Sequence, residues 1–202
     1  MYKELHKQTT FAEIAEMIEP DSHVLDLGCG DGSLLDLLRT TRQVSGIGID
    51  IDEEAVLASM ERGLTAVSGD LDQALAHYAD RMYDYVILSQ TLQVVKRPDH
   101  VLEQIVRVGK QAIVSFPNFA YYKVRFGLLF GGHMPKSKIL PYEWFDTPNI
   151  HLLTINDFKT FCKIRGIEIV KAVYLHGKMK KRRVNAFANI LAEEALFVIR
   201  KT

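Results

Sequence analysis

Asp26-Leu27-Gly28-Cys29-Gly30-Asp31-Gly32 follows the apolar run His23-Val24-Leu25 and leads directly into Ser33-Leu34-Leu35-Asp36-Leu37-Leu38. An apolar run, a glycine cluster and a leucine-rich helical period, in that order, describe a strand, a tight turn and a helix. Six more apolar runs suit strands: Val44 to Ile49, Thr65 to Val67, Tyr83 to Leu88, Ala112 to Phe116, Ile167 to Leu175 and Ala195 to Arg200. Helical patterns with recognisable ends alternate with them. These are Leu34 to Leu38 after Ser33, Ala55 to Met60 between Asp52 and Gly63, Val101 to Val108 between Asp99 and Gly109, and about Asn156 to Arg165 between Thr154 and Gly166. An N-terminal helix is expected from about Phe11 to Ile18, ahead of Pro20. Strands alternating with helices predict an α/β domain with a mostly parallel sheet and helices on its faces.

Composition sets the outer limits. The chain has 202 residues, 48% of them apolar, with 25 Lys+Arg against 25 Asp+Glu, which fits one globular domain over residues 1–202. Zero formal net charge provides no general attraction to nucleic acid or an anionic membrane. No stretch approaches the ~18 apolar residues of a membrane span, and Met1 to Gln8 lacks the apolar core of an export signal, so a cytoplasmic protein is expected. The two cysteines, Cys29 and Cys162, cannot build a disulfide framework, and the seven histidines form no ligand pair on a shared helix; no metal is expected.

The acids around the glycine loop narrow the ligand. A pyrophosphate needs the open, positive end of the following helix, yet Asp26 and Asp31 place carboxylates beside it. The third glycine is at 32 with Ser33 after it, which departs from the dinucleotide spacing. A cationic nucleoside without phosphate suits the loop better, and S-adenosylmethionine, with its sulfonium and ammonium, is such a ligand. The strand Gly46-Ile47-Gly48-Ile49-Asp50 ends in an acid 22 residues after Gly28, where a nucleoside-binding sheet holds the ribose hydroxyls. Asp52, Glu53 and Glu54 already supply a cap and negative charge to the next helix, which leaves Asp50 for a ligand. Asp70, in Gly69-Asp70-Leu71, either accepts from an adenine amino group or only closes a turn.

Asp26 to Gly32, Asp50, Asp70 and Tyr83-Asp84-Tyr85-Val86-Ile87-Leu88, in this order and spacing, resemble the class I S-adenosylmethionine-dependent methyltransferases. The resemblance covers about residues 23 to 115. It implies a Rossmann-like seven-stranded sheet with the last strand antiparallel. It also implies a cofactor site for S-adenosylmethionine or S-adenosylhomocysteine made by Asp26, Gly28, Gly30, Gly32, Asp50, Ile51, Asp70, Leu71 and Ser89, with Gln90 close by.

Residues 116 to 153, between the fifth and sixth strands, are too many for a plain connection and should form a packed elaboration. They carry nine of the nineteen aromatics and four of the six prolines, so a substrate lid, a partner surface and a subdomain core all fit this segment. Within it, Ser115-Phe116-Pro117-Asn118, Gly131-Gly132-His133-Met134-Pro135 and Leu140-Pro141-Tyr142-Glu143-Trp144-Phe145-Asp146-Thr147-Pro148-Asn149-Ile150-His151 resemble the MetW family of methionine biosynthesis proteins, as does the continuation Leu152 to Phe158. This second resemblance implies a bacterial cytoplasmic protein that works with homoserine O-acyltransferase. A methyl acceptor is not implied. An active methyltransferase on a small-molecule acceptor is the other reading, since a sulfonium is an activated donor and alignment alone supplies much of the rate. Tyr142 and His151 are the catalytic candidates, with Asn118 and Asn149 as orienting amides; a lone histidine is more often structural. Ser89-Gln90-Thr91-Leu92 lacks the Asn-Pro-Pro-Tyr pattern that positions an amino group on a base or amide. The basic run Lys178 to Arg183 reads as a solvated hairpin, with RNA or an acidic partner as the rarer reading.

Overall fold

A computed structural model describes the chain at residues 2–134, 136, 140, 142–176, 180–181 and 187–202. Its elements run α1 (Tyr2–Ala15), β1 (His23–Leu27), α2 (Ser33–Arg42), β2 (Ser45–Asp50), α3 (Glu53–Glu61), β3 (Thr65–Ser68), α4 (Leu71–Ala74), β4 (Tyr83–Ser89), α5 (Pro98–Val108), β5 (Gly109–Pro117), α6 (Tyr122–Gly131), α7 (Ile155–Ile164), β6 (Ile167–His176), β7 (Lys180–Lys181), α8 (Ala188–Leu191) and β8 (Glu194–Lys201). The sheet order is β3-β2-β1-β4-β5-β8-β6-β7. β1 to β5 pair in parallel, and β8 runs antiparallel to both β5 and β6. The seven expected strands and the reversed last one are all present; β7 is a two-residue addition that pairs with Leu175 and His176. The rest of the basic run lies outside the described residues.

Alternation along the strands divides the core into two layers. On β8, Ala195, Phe197 and Ile199 join one cluster with Val101, Ile105 and Phe158 of α5 and α7. Leu196 and Val198 join the other, with Ile14 of α1 and Leu34, Leu35 and Leu38 of α2. Phe116, Phe158 and Phe197 pack with ring centroids 4.7 to 5.9 Å apart and tie β5, α7 and β8 together. Sheet direction reverses its sequence order between β1 and β4, and the carboxyl ends of these strands are where such a fold opens a crevice.

Local chemistry accounts for the helix ends. Thr154 caps α7 in a capping box with Asp157, Asp52 caps α3 by accepting from Glu54 N and Ala55 N, and Pro98 opens α5. Two expectations need correction. Ser33 is the first residue of α2, not its cap: Gly32 sits at the cap in the left-handed region, and Asp31 accepts from the Ser33 amide and hydroxyl. The N-terminal helix spans Tyr2–Ala15 instead of about Phe11 to Ile18, because its first half turns the polar residues His6, Lys7 and Thr10 to the cavity and carries no apolar period.

The elaboration contains α6 and a small cluster of Tyr121, Val124 and Leu140. Most of its large side chains face out instead: Leu129 is 71% exposed, Phe130 78%, Trp144 73% and Phe145 70%. A subdomain core therefore describes only its base. Asn118 belongs to that base. Buried, it donates to the Asn189 and Ala192 carbonyls and accepts from Ala120 N and Ile155 N, which makes it a fold-locking amide instead of a ligand-orienting one.

Candidate functional site

A cavity of about 700 Å³ opens at the carboxyl ends of β1 and β4, lined by the glycine loop, the Ser89–Val94 turn, Pro117, one face of α1 and Tyr142, Pro148 and Asn149 of the elaboration. That volume lies in the range of small-molecule sites. Backbone geometry shapes the loop. Gly28 and Gly30 adopt φ of +74° and +54°, a region costly for side-chain-bearing residues. A Cβ on Gly28 would meet Thr91 Oγ1 at 2.5 Å, whereas around Gly30 nothing lies within 4 Å, so at Gly30 the backbone is open to a ligand. The Gly30 amide is pinned from below, donating to Asp50 Oδ2 at 2.7 Å.

The two loop acids part company. Asp31 accepts from Ser33 and makes ion pairs with Arg62 at 2.9 Å and Lys7 at 3.7 Å; burial opposes ionisation, but these partners outweigh it and hold the carboxyl below its usual range. Its charge is already matched within the protein. Asp26 has no side-chain hydrogen bond among the described residues, is 2% exposed, and lines the cavity. Burial first, then the nearby Asp50 carboxylate, pushes its pKa up to about 7. A buried carboxyl without a cationic partner fits the positive methionyl group of a sulfonium nucleoside. Of the two acids read as flanking the ligand, only Asp26 presents an unmatched carboxylate.

Asp50 does two structural jobs, accepting from Gly30 N and, at 3.0 Å through Oδ1, from Asp52 N. It is thus less free than its position in the sequence implies, although each carboxylate oxygen has a further lone pair. Ile51, next along the strand end, is 71% exposed. Asp70 caps α4 by accepting from Asp72 N, and Leu71 is buried in the core. Gly32, Asp50, Ile51, Asp70 and Leu71 lie outside the cavity lining; Asp26, Gly28, Gly30 and Ser89 lie within it.

On the opposite side, the buried carboxylate of Glu194 at the start of β8 collects two hydrogen-bond donors and an imidazole contact. Thr10 Oγ1 donates at 2.8 Å, His6 Nε2 lies at 2.5 Å, and Gln90 Nε2 donates to the other oxygen. Gln90 holds φ of +56°, with its amide on the Ser115 carbonyl and hydroxyl. Burial alone would lower the His6 pKa, but Glu194 and nearby Glu193 outweigh it and raise it. His6, Thr10 and Glu194 carry no motif signature; the only hint was polar residues at helical spacing ahead of Phe11. Tyr142 lines the cavity, whereas His151 does not: its Nε2 lies 3.4 Å from the Lys96 carbonyl. Cys29 lines the cavity, yet burial, then Asp26 and Asp50, push its thiol up to about 12, so it is no nucleophile at neutral pH. Among the described residues, no group of three metal-binding side chains comes together, and no helix is long and apolar enough to cross a membrane.

Strand order, the reversed last strand and the glycine loop after β1 define the class I methyltransferase fold. A crystal structure of an S-adenosylmethionine-dependent methyltransferase from Archaeoglobus fulgidus superposes with a TM-score of 0.72 over 98% of this chain and 94% of that one, at 17% identity. The [4+2]-cyclase SpnF superposes with a TM-score of 0.67 over 95% of this chain and 80% of its own, at 15% identity. Likeness at this level is one of fold, and a cyclase on the same framework shows that the fold does not select the chemistry. The chain itself belongs to the MetW family: the model of methionine biosynthesis protein MetW matches residues 8–199. It is also 38% identical over 170 residues to the bifunctional methionine biosynthesis protein MetXA/MetW of Rhodopirellula baltica. That match takes in 80% of this chain and 27% of the relative, so the chain spans about a quarter of that protein's length.

Proposed function

We propose that this protein binds S-adenosylmethionine or S-adenosylhomocysteine in the glycine-loop cavity and associates with a homoserine O-acyltransferase, whose activity it modulates in cytoplasmic methionine biosynthesis. The observation that carries the ligand is the buried, unmatched Asp26 carboxyl facing that cavity. The partner is supported by the relative whose name joins MetXA and MetW in one polypeptide. When bound, the cofactor supplies a methyl group already activated by the sulfonium. Asp26 holds the cationic end, the Gly30 backbone permits close approach, and Asp50 keeps the loop in place while offering its remaining lone pairs to the ribose.

Asp50→Ala removes the acceptor that pins Gly30 as well as the proposed ribose contact. It should weaken S-adenosylhomocysteine binding by roughly 1 to 3 kcal/mol. Calorimetry on the two proteins reads this directly, and an unchanged affinity refutes the assignment. Trp144→Ala should weaken association with the acyltransferase at least tenfold, since exposed aromatics dominate interfaces. Retained binding in that variant, measured by surface plasmon resonance, removes Trp144 from the interface.

A second reading, methyl transfer to a small acceptor, is favoured by one feature. The cavity continues past the glycine loop to Gln93, Tyr142 and Asn149, which gives the room a second small molecule would need. Formation of S-adenosylhomocysteine that depends on added cell extract supports this reading; none supports the binding role alone.

A further inference from the structure

We infer that the first half of α1 is a hinged roof over the cavity, latched on Glu194 and Asp31. His6, Lys7 and Thr10 recur at i, i+1 and i+4, so they share one face of the helix, and all three line the cavity. Their holds are polar and lie on two sides. Thr10 and His6 reach Glu194 on β8 at 2.8 and 2.5 Å, and Lys7 reaches Asp31 in the glycine loop at 3.7 Å.

The second half of the helix is held by different means. Ile14 and Ala15, with Met17 and Ile18 just beyond, are buried in the core layer that contains Leu34, Leu35 and Leu38 of α2. Phe11 stands at the junction, packed against that layer and also lining the cavity. An element anchored by apolar burial at one end and by a few side-chain contacts at the other opens at the weaker end first. The hinge thus falls near Thr10 and Phe11.

Each latch socket adjoins the cavity: Asp31 is part of its lining, and Glu194 lies behind that lining. Glu194 also binds Gln90, which lines the cavity, and Asp31 follows Gly30 in the loop. Raising the roof leaves the buried Glu194 carboxylate with Gln90 alone among these three partners, an unfavourable state that keeps the resting roof closed. Transient opening then quickens ligand exchange. Only the ligand arm of the following test rests on the proposed cofactor.

Amide hydrogen exchange on the full chain tests the latch. In the wild type, residues 6–10 should exchange at least tenfold faster than residues 14–18. His6→Ala/Thr10→Val should accelerate residues 6–10 a further tenfold or more, leaving 14–18 unchanged. Glu194→Gln, which keeps side-chain shape, and Lys7→Ala, at the surface, should each shift residues 6–10 in the same direction and serve if the double variant fails to fold. Stopped-flow release of S-adenosylhomocysteine should quicken at least fivefold in the variants. A common exchange rate across residues 6–18, or variants that leave 6–10 unchanged, overturns the roof. If the wild type does not bind S-adenosylhomocysteine, the cofactor reading fails and exchange alone decides the latch.

Discussion

Asp26→Asn is expected to make the unliganded protein more stable above neutral pH while removing most of its affinity for the cofactor. Burial and Asp50 raise the carboxyl from 3.8 to about 7, so the folded state holds this proton more tightly than the unfolded chain. The sign follows. Stability from the protonated group is complete below about pH 4 and is lost as pH rises through about 7. At pH 8 the buried anion therefore destabilises the wild type by roughly 2 to 4 kcal/mol, which an isosteric amide relieves. Denaturant titration at pH 8 should show that gain, and at pH 4 it should have vanished. Affinity moves the other way. Wild-type binding of S-adenosylmethionine should tighten as pH rises through about 7, and the variant should lose about 2 to 3 kcal/mol and the pH dependence with it. A variant that binds as well as the wild type at pH 8 contradicts the role of Asp26.

Gly28→Ala should disrupt the site through the backbone. The residue sits at φ +74°, and an added Cβ would lie 2.5 Å from Thr91 Oγ1 and 2.8 Å from Thr91 Cγ2. Thr91 cannot turn away freely, because it is β-branched and its hydroxyl donates to the Ser89 carbonyl at 2.9 Å. Left-handed strain of about 1 to 2 kcal/mol adds to the clash. Total destabilisation should reach about 3 kcal/mol or more, accompanied by loss of cofactor binding. The clash and the strain separate in a double-mutant cycle. Thr91→Ala in the Gly28→Ala background should recover part of the loss, leaving only the strain. Strict additivity of the two substitutions contradicts the contact.

The strands were legible to within a few residues because a mostly parallel sheet buries both its faces. His23 to Leu27 and Tyr83 to Leu88 stand out as apolar runs without any tertiary information. The glycine loop was legible for a related reason: Gly28 and Gly30 need left-handed backbone, and glycine is the residue that adopts it readily. What stayed hidden were long-range pairings. Asp31 looks like a ligand-facing acid until Arg62, thirty-one residues on, is brought to its side. Glu194 lies one hundred and eighty-four residues from Thr10, and nothing in either neighbourhood announces the contact. The first half of α1 escaped detection because it rests on polar groups, so the apolar period that betrays a core-facing helix begins only at Phe11. The exposed aromatics of residues 126 to 145 form a further case, since composition reveals clustering but not which way a side chain faces.

The proposed coupling between this chain and a homoserine O-acyltransferase is open to one direct test. The measurement is the initial rate of homoserine acylation by the acyltransferase of the same genome, with and without this protein, while S-adenosylmethionine is titrated into the mixture. The account predicts co-elution of the two proteins, a rate that changes when the chain is added, and a further change with S-adenosylmethionine that Asp26→Asn abolishes. Such a ligand effect requires different affinities for the free and associated states. Equal rates in every condition, together with separate elution on a sizing column, would contradict it and favour the methyltransferase reading.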